Sequence, residues 1–513
     1  MKKRLSMLMA LMLTLGSVGL TACGGVEPAP NTEVDLEIFY WEAGNGSVWL
    51  DKTIEAFQTK FPEVNVVKKY SSSNDTWANE LSSPEVNTID LYISSMTNFL
   101  AYTQYIEPLD DVLNVKWENE SVTLLEKNNQ LMLNTQRGED GKLYAAMYGG
   151  GISGLVYNKT VFDQKGYEIP RTTDELVALA GDMVDDKYTP FIHCGNADYW
   201  TYCVMPWWGQ YSGIEEVYDF WNAKYVDSET GAVEQPSLKA MKTDGKKKAL
   251  EALYQVISPK SYTYSASNQV THTEAQTYFL SGKALMMPNG IWLENEMKNT
   301  DTSIEYAFMK TPIISSLGEK LGISDKVLAE VVSYVDSADY ENGVINDASQ
   351  EYDSAKVKTC SKEIIDTVAE ARKVVYSEAV SNRALIPNYA NAKEWAKKFV
   401  QFMNSDEALN IYTDTLHFKT FVKPTVDNTD TSKWSTFMKS AEKLMDNADY
   451  VFRAKGYKLF YNTSMTEFLP YVASSYFTAT NANDKKDADE FWQLCEDFYN
   501  QNWDNLLKQA GLS

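Results

Sequence analysis

The first regular element announces itself by alternation. Val34-Asp35-Leu36-Glu37-Ile38 sets apolar against acidic positions with a period of two, and Phe39-Tyr40 extends the run, so a strand is expected over Val34 to Tyr40. Trp41 to Ser47 (WEAGNGS) reads as a loop. From Val48 to Phe61 the apolar positions Leu50, Ile54 and Phe57 recur at helical spacing, and Phe61-Pro62 stops the helix. Val64 to Tyr70 is the next strand. Strand, helix and strand in this order predict a parallel pair joined by a right-handed crossover. Ile89 to Ile93 is a further strand, ended by the small polar run Ser94-Ser95-Met96-Thr97-Asn98.

Further along, Leu143 to Tyr148 and Ile152 to Tyr157 are two apolar strand patterns separated by Gly149-Gly150-Gly151. The glycines fit either a plain hairpin or bulge, or a place where backbone or ligand comes close. Thr173 to Met183 is a predicted helix capped by Thr172 or Thr173, and Thr189 to Gly195 is strand-like. The helix that follows carries Trp200, Val204, Trp207 and Tyr211, a stripe whose ordinary meaning is core packing. Ala284 to Met287 and Ser303 to Met309 are expected strands. Gly318 to about Leu385 is polar and acidic, with a turn at Tyr340 to Gly343 and a helix over Ile364 to Ser377. Ala392 to Ile411 reads as a helix pair, and Phe491 to Leu507 as a final helix.

Composition sharpens this picture in three places. Lys2, Lys3 and Arg4 precede an apolar run, Leu5 to Leu20, which is too short to span a bilayer stably, so residues 1–22 are expected to be a signal peptide. Setting aside its three basic residues lowers the net charge of −24 to −27, a sign that argues against nucleic acid or an anionic lipid surface as partner. Cys194, Cys203, Cys360 and Cys495 lack C-x-x-C spacing, and three scattered histidines suggest no metal cluster; whether Cys194 and Cys203 pair is open. The roughly 490 residues after the signal exceed what one core usually holds, so two or more domains are expected.

In open α/β sheets ligands meet the carboxyl ends of the strands. That rule nominates Trp41, Glu42 and Asn45 after the first strand, Ser94 and Ser95 after the third, and Asn289 after Ala284–Met287. Ser and Thr at such ends serve equally as caps. Trp200, near a helix start after a strand, and Trp292, after Asn289-Gly290, are candidate stacking platforms, and Tyr148, directly before the three glycines, is a further candidate.

Several motifs resemble the sugar-type (family 1) extracellular solute-binding proteins of bacterial ABC importers. One is Tyr157-Asn158-Lys159, Phe162, then Gly166, Pro170, Thr172, Glu175 and Leu176. Others are Phe57-x-x-x-Phe61-Pro62-x-Val64, Tyr105 to Leu109, and Phe279-x-x-Gly282-Lys283-Ala284-x-Met286 with Gly290-x-Trp292. Leu20-Thr21-Ala22-Cys23-Gly24-Gly25 resembles a lipobox, which implies lipidation of Cys23 and a tether over 23–33. The resemblance implies an α/β, two-lobe periplasmic-binding-protein-like fold (type II, Venus flytrap), the chain crossing between lobes three times near Tyr148, Phe308 and Phe418. It puts 34–147 and 310–415 in the first lobe, with an insertion at about 318–385, and 148–309 and 416–513 in the second. It further implies a carbohydrate ligand, permease subunits with a separate ATPase, a lipid anchor on the outer face of the cytoplasmic membrane, a monomer, and no cofactor or metal. No Walker A motif is present, in keeping with an ATPase on another chain. A polyamine, cation or peptide ligand remains compatible with the acidic balance. A surface-tethered carbohydrate-active enzyme would need paired carboxylates, for which Glu42, Asp90 and Glu294 are the candidates.

Overall fold

Val34 to Trp41 forms strand β1, and Val64 to Ser71 forms β2, in parallel register from Val34 opposite Val64 to Trp41 opposite Ser71. The helix between them, Val48–Lys60, buries Trp49, Leu50, Thr53 and Phe57. The computed structural model describes residues 34–71, 74, 76–96, 98–227, 229–378, 382–463 and 473–513. The expected signal peptide, Cys23 and the tether lie outside the described residues.

The other strands are β3 (Leu91–Ser95), β4 (Ala146–Met147), β5 (Ser153–Asn158), β6 (Tyr225–Val226), β7 (Val233–Glu234), β8 (Met286–Gly290), β9 (Tyr306–Phe308), β10 (Val374–Tyr376), β11 (Asn382–Leu385) and β12 (Asp449–Val451). The first sheet runs β2-β1-β3-β11-β4, and the second runs β12-β10-β5-β8 with β9 also on β5; β6 and β7 make a separate hairpin. In the first sheet β1, β2 and β3 are parallel, and β11 is antiparallel to both β3 and β4. In the second, β5 is antiparallel to β8, β9 and β10, while β10 and β12 are parallel. Each sheet is covered by helices, giving two α/β lobes. The helix Thr201–Ser212 is buried from Thr201 to Gln210 and is the central prop of the second lobe, with Trp207 Nε1 donating to Pro312 O at 3.2 Å.

The three glycines do not turn a hairpin. β4 and β5 belong to different sheets, so Gly149–Gly151 is the passage from the first lobe to the second. Gly150 there bridges Thr420, and a Cβ on Gly150 would lie 2.1 Å from the carbonyl oxygen of Lys419. Only glycine lets two backbones approach this closely.

The return expected after Phe308 does not occur there. β9 and β10 both belong to the second sheet, and the chain re-enters the first only at β11, between Tyr376 and Asn382. Residues 310–376, assigned from sequence to the first lobe or its insertion, therefore pack on the second. Ile313 bridges Thr172, the Thr172 hydroxyl donates to Asp325 at 3.0 Å, and the helices Asp325–Val335 and Lys362–Arg372 lie against each other. Arg372, 7 % exposed, places its guanidinium on Asp336 at 2.8 Å and donates to Thr311 O at 2.7 Å, tying the segment's end to its beginning. The helix expected to Ser377 ends at Arg372, because Val374-Val375-Tyr376 pairs as a strand with β12 and β5.

Helix Asp406–Leu416 packs on Val48–Lys60 in the first lobe; helix Thr436–Met445 packs on β9 in the second, with Phe437 stacked on Phe308 at 4.6 Å. Thr172, not Thr173, caps its helix by accepting from Glu175 N. Cys194, Cys203, Cys360 and Cys495 are all free thiols, which answers the pairing question left open above. Among the described residues no helix is long and apolar enough to cross a membrane.

Candidate functional site

A cleft of about 580 Å³ lies between the two sheets, and the strand ends build it. From the first lobe come Trp41 at the end of β1, Glu42, Gly44 and Asn45 in the turn after it, Tyr70 near the end of β2, and Ser95 at the end of β3. Asn382 and Arg383 open β11, opposite Ser95 and Ser94 respectively. The second lobe supplies Tyr199, His272, Trp292, Glu296, Glu378, Arg453 and Lys455.

The lobes touch at one rim. Trp292 folds back over Gly290, where any Cβ would lie 2.2 Å from the indole, and presses on Gly44, where a Cβ would lie 2.6 Å from the Cβ of Trp292. Asn295 Nδ2 donates to Gly44 O at 2.6 Å across the same contact. Tyr199 and Tyr202 meet the indole edge-on, with centroids at 6.1 and 6.0 Å, and Tyr202 lies 5.0 Å from Tyr376. An aromatic row thus runs from the rim toward the hinge.

Charge is concentrated at the hinge end. Tyr376 and Val451 are register partners in the parallel pair β10/β12, so Glu378 and Arg453, each two residues past its partner, emerge side by side. Tyr376 donates its hydroxyl to Glu378 at 2.7 Å, and Arg453 Nη2 lies 3.8 Å from the same carboxylate oxygen. Arg383 is 4 % exposed; it donates to Gln136 Oε1 at 2.6 Å and to Met96 O, and its guanidinium lies 4.7 Å from the ring centre of Phe99. Burial, reinforced by Arg453, pushes the Lys455 ammonium down to about 8. At the rim, burial raises the Glu296 carboxyl, and Gln276 Nε2 opposes this by donating at 2.6 Å. A hydrogen bond to Glu42 raises the Tyr70 phenol.

Of the residues nominated from sequence, Trp41, Glu42, Asn45, Ser95 and Trp292 line the cleft. Four do not. Trp200 is 0 % exposed and packs edge-on against Phe191 at 5.4 Å; it sits one residue before the helix and turns inward, while its neighbour Tyr199 faces the cleft. Tyr148 is stacked on Trp49 at 5.3 Å beneath the crossing. Ser94 is buried with its hydroxyl on Asn74, and Asn289 is buried with its amide oxygen accepting from Gly290 N at 2.8 Å. The carboxylates weighed for an enzyme also separate. Asp90, 2 % exposed, accepts from Glu37 N at 3.0 Å and Ala392 N at 2.8 Å, and Glu294 accepts from Ser435, leaving only Glu42 on the cleft. Tyr70, at the second strand end, was within reach of the strand-end rule. Arg383, Arg453 and Lys455 carried no local signal. Among the described residues no group of His, Cys, Asp and Glu could hold a metal ion.

Two lobes, strand ends converging on one cleft and an aromatic rim suit a small-molecule receptor, and residues 52–334 match the family described as bacterial extracellular solute-binding protein. The chain belongs to this family. It is 28% identical over 183 residues to the multiple sugar-binding protein of Streptococcus mutans, covering 35% of this chain and 40% of that one. It is 23% identical over 274 residues to the diacetylchitobiose binding protein NgcE of Streptomyces coelicolor, covering 53% of this chain and 55% of that one. The matches thus span about half the length of these curated relatives. Among solved structures, apo RafE of Streptococcus pneumoniae superimposes with a TM-score of 0.59 at 14% identity, over 92% of this chain and 99% of that one. The Listeria monocytogenes protein Lmo0181, solved with cycloalternan, gives 0.56 at 13% identity, over 93% and 99%. At such identities the likeness establishes the fold: two α/β lobes, as the resemblance implied.

Proposed function

We propose that the chain is the substrate-binding lipoprotein of an ABC importer, capturing a mono- or oligosaccharide between its lobes and delivering it to a membrane permease. The observation that carries this reading is the composition of the cleft: indoles from opposite lobes, Trp41 and Trp292, with amide, hydroxyl and charged groups between them. A sugar ring offers apolar C–H faces that stack on an aromatic surface, and hydroxyls that pair with such groups. The names of the curated relatives, one a multiple sugar-binding and one a diacetylchitobiose-binding protein, support the same class. Trp41, Glu42, Asn45, Ser95 and Trp292 are the ligand-facing set we carry forward from the sequence, joined by Tyr70 and Tyr199. ATP hydrolysis is assigned to another chain, Cys23 carries the lipid, and the lobes face the outside of the cytoplasmic membrane as a monomer. Cleavage chemistry is not assigned: of the three carboxylates weighed for it only Glu42 reaches the cleft, and the other two carboxylates there, Glu378 and Glu296, accept hydrogen bonds from Tyr376 and Gln276.

The test is a fluorescence titration of the mature chain against a glycan panel, followed by chromatography of the incubated sugar. A saturable change with at least one saccharide, recovered intact, is expected. A response to spermidine or peptides but to no saccharide, or turnover of the bound sugar, overturns the reading.

A further inference from the structure

Tyr70 borders two concavities. One is the interlobe cleft, where its phenol meets Glu42. The other, of about 390 Å³, lies on the flank of the first lobe, between the outer strand β2 and the turn that leads into β3. Lys69, Tyr70, Glu80, Val86 and Thr88 line it, with buried Phe39 beneath. Tyr70 is 57 % exposed, so its ring is free to carry a ligand from one concavity into the other.

The flank groove has the surface of a site. Val86 is 80 % exposed, although the turn that carries it is held firmly. Asn87 Nδ2 donates to the phenols of Tyr92 and Tyr389 at 2.9 and 2.7 Å, and Val86 N donates to Ser83 O at 3.1 Å. Single exposed apolar residues are ordinary, but an aliphatic side chain fixed in water along the same groove as an exposed phenol is an adhesive surface. Polar groups frame it. Lys69 Nζ and Thr88 Oγ1 both reach Glu37, at 3.4 and 2.5 Å, and Glu80 adds a carboxylate able to accept hydroxyl hydrogens. Among the described residues β2 pairs only with β1, so its outer side presents backbone N–H and C=O groups along the groove. Apolar surface among donors and acceptors is the same chemistry as in the cleft, and it suits the C–H faces and hydroxyls of a sugar.

Resting on the carbohydrate reading above, we propose that the ligand is an oligosaccharide longer than the interlobe cleft, whose outer units pass over Tyr70 and lie in the flank groove against Val86, Glu80 and Thr88. Continuity through Tyr70 is what selects this occupant, because a chain held in the cleft and leaving it on the Tyr70 side meets the groove next. The first lobe then reads the length of the saccharide as well as its inner units.

The experiment titrates the mature chain with neutral homologous series, malto-, cello-, xylo-, manno- and chito-oligosaccharides, each from disaccharide to octasaccharide. In at least one series the hexasaccharide is expected to bind about 10- to 100-fold more tightly than the disaccharide. Val86→Asp and Glu80→Ala should each lower that ratio at least about fivefold, while disaccharide affinity, circular dichroism and melting temperature stay at wild type. Amide hydrogen exchange gives a readout that needs no substitution: the hexasaccharide should slow exchange in residues 83–89, and the disaccharide should not. Binding confined to short saccharides, equal affinity for hexasaccharide and disaccharide, or a length preference that survives both substitutions without protection of 83–89, overturns the inference and leaves the carbohydrate reading intact. Failure of every saccharide, short and long, overturns both.

Discussion

Closure of the lobes can be blocked with a single methyl group. Gly44 of the first lobe lies under Trp292 of the second, and a Cβ at residue 44 would meet Trp292 Cβ at 2.6 Å, Glu296 Oε1 at 2.9 Å and Trp292 Cγ at 3.0 Å. Carbon atoms in contact prefer about 3.5–4.0 Å, so Gly44→Ala demands roughly 1 Å of retreat at the rim. Residue 44 is not among the positive-φ glycines, so alanine carries no backbone strain of its own. Overpacking of this size costs about 1–3 kcal/mol in a tight contact. The cost falls only on the closed arrangement, because in an opened cleft the methyl group faces solvent. Affinity for the cleft's ligand should therefore drop about 5- to 150-fold, with a melting temperature of the ligand-free chain unchanged within a few degrees. Small-angle scattering supplies the second readout: wild type at saturating ligand should contract, and Gly44→Ala at equal occupancy should contract less. If Gly44→Ala binds as tightly and contracts as far as wild type, the contact between Trp292 and Gly44 is not part of the ligand-bound state and the closure argument fails.

Trp292→Ala should weaken saccharide binding by about 2–4 kcal/mol, the range of an aromatic hot spot, with little effect on ligand-free stability, whereas Trp395→Ala, whose ring packs on Phe57 and Phe61, should destabilise the fold; equal affinity, or unfolding of Trp292→Ala, contradicts the placement. His193, 2 % exposed, is held neutral because burial pushes its imidazole from 6.5 down to about 4, with Nε2 donating to Asn268 Oδ1 at 3.0 Å and Nδ1 without a hydrogen-bond partner. The unfolded chain therefore binds a proton that the folded chain refuses across that window, and stability falls as pH drops through it, by about 2 kcal/mol at pH 5 from this group. Urea titrations should show a smaller loss between pH 7 and pH 5 in His193→Gln than in wild type, and equal losses would remove His193 from the account. Cys23→Ser should release the chain from the membrane fraction or leave the precursor unprocessed, and wild-type fractionation and mobility would refute lipidation.

The parts of the fold legible in the sequence are those with local period and local chemistry. Val34 to Tyr70 declared a β-α-β unit through alternation, helical spacing and the Phe61-Pro62 stop, and its first strand end nominated Trp41, Glu42 and Asn45, which line the cleft. The cap at Thr172 marked a helix start because the side chain that satisfies the orphan N–H groups is itself in the sequence. Errors arose where one residue of phase decides. Tyr199 and Trp200 adjoin the same helix start, yet one faces the cleft and the other the core, and only the packing of Phe191 against Trp200 settles which. Ser94 and Ser95 divide in the same way along β3.

The remaining gap has one structural source, the segment from Gly318 to Tyr376. Its composition is polar and acidic, so it read as part of an insertion at about 318–385 whose role the sequence does not reveal. Its last three residues, Val374-Val375-Tyr376, form β10, which stands between β5 and β12 in the second sheet. Among the described residues β12 pairs with no strand but β10. The register of that parallel pair is what brings Arg453 and Lys455 beside Glu378, and the exit of β10 into β11 is what brings Arg383 across from the other lobe. A three-residue strand leaves no periodic trace, and the charges it aligns lie about seventy residues apart along the chain, joined by a register that exists only once the sheet has formed. The cleft's aromatic lining could be read from strand ends, whereas the charged side chains beside it follow from how this segment is threaded into the second lobe.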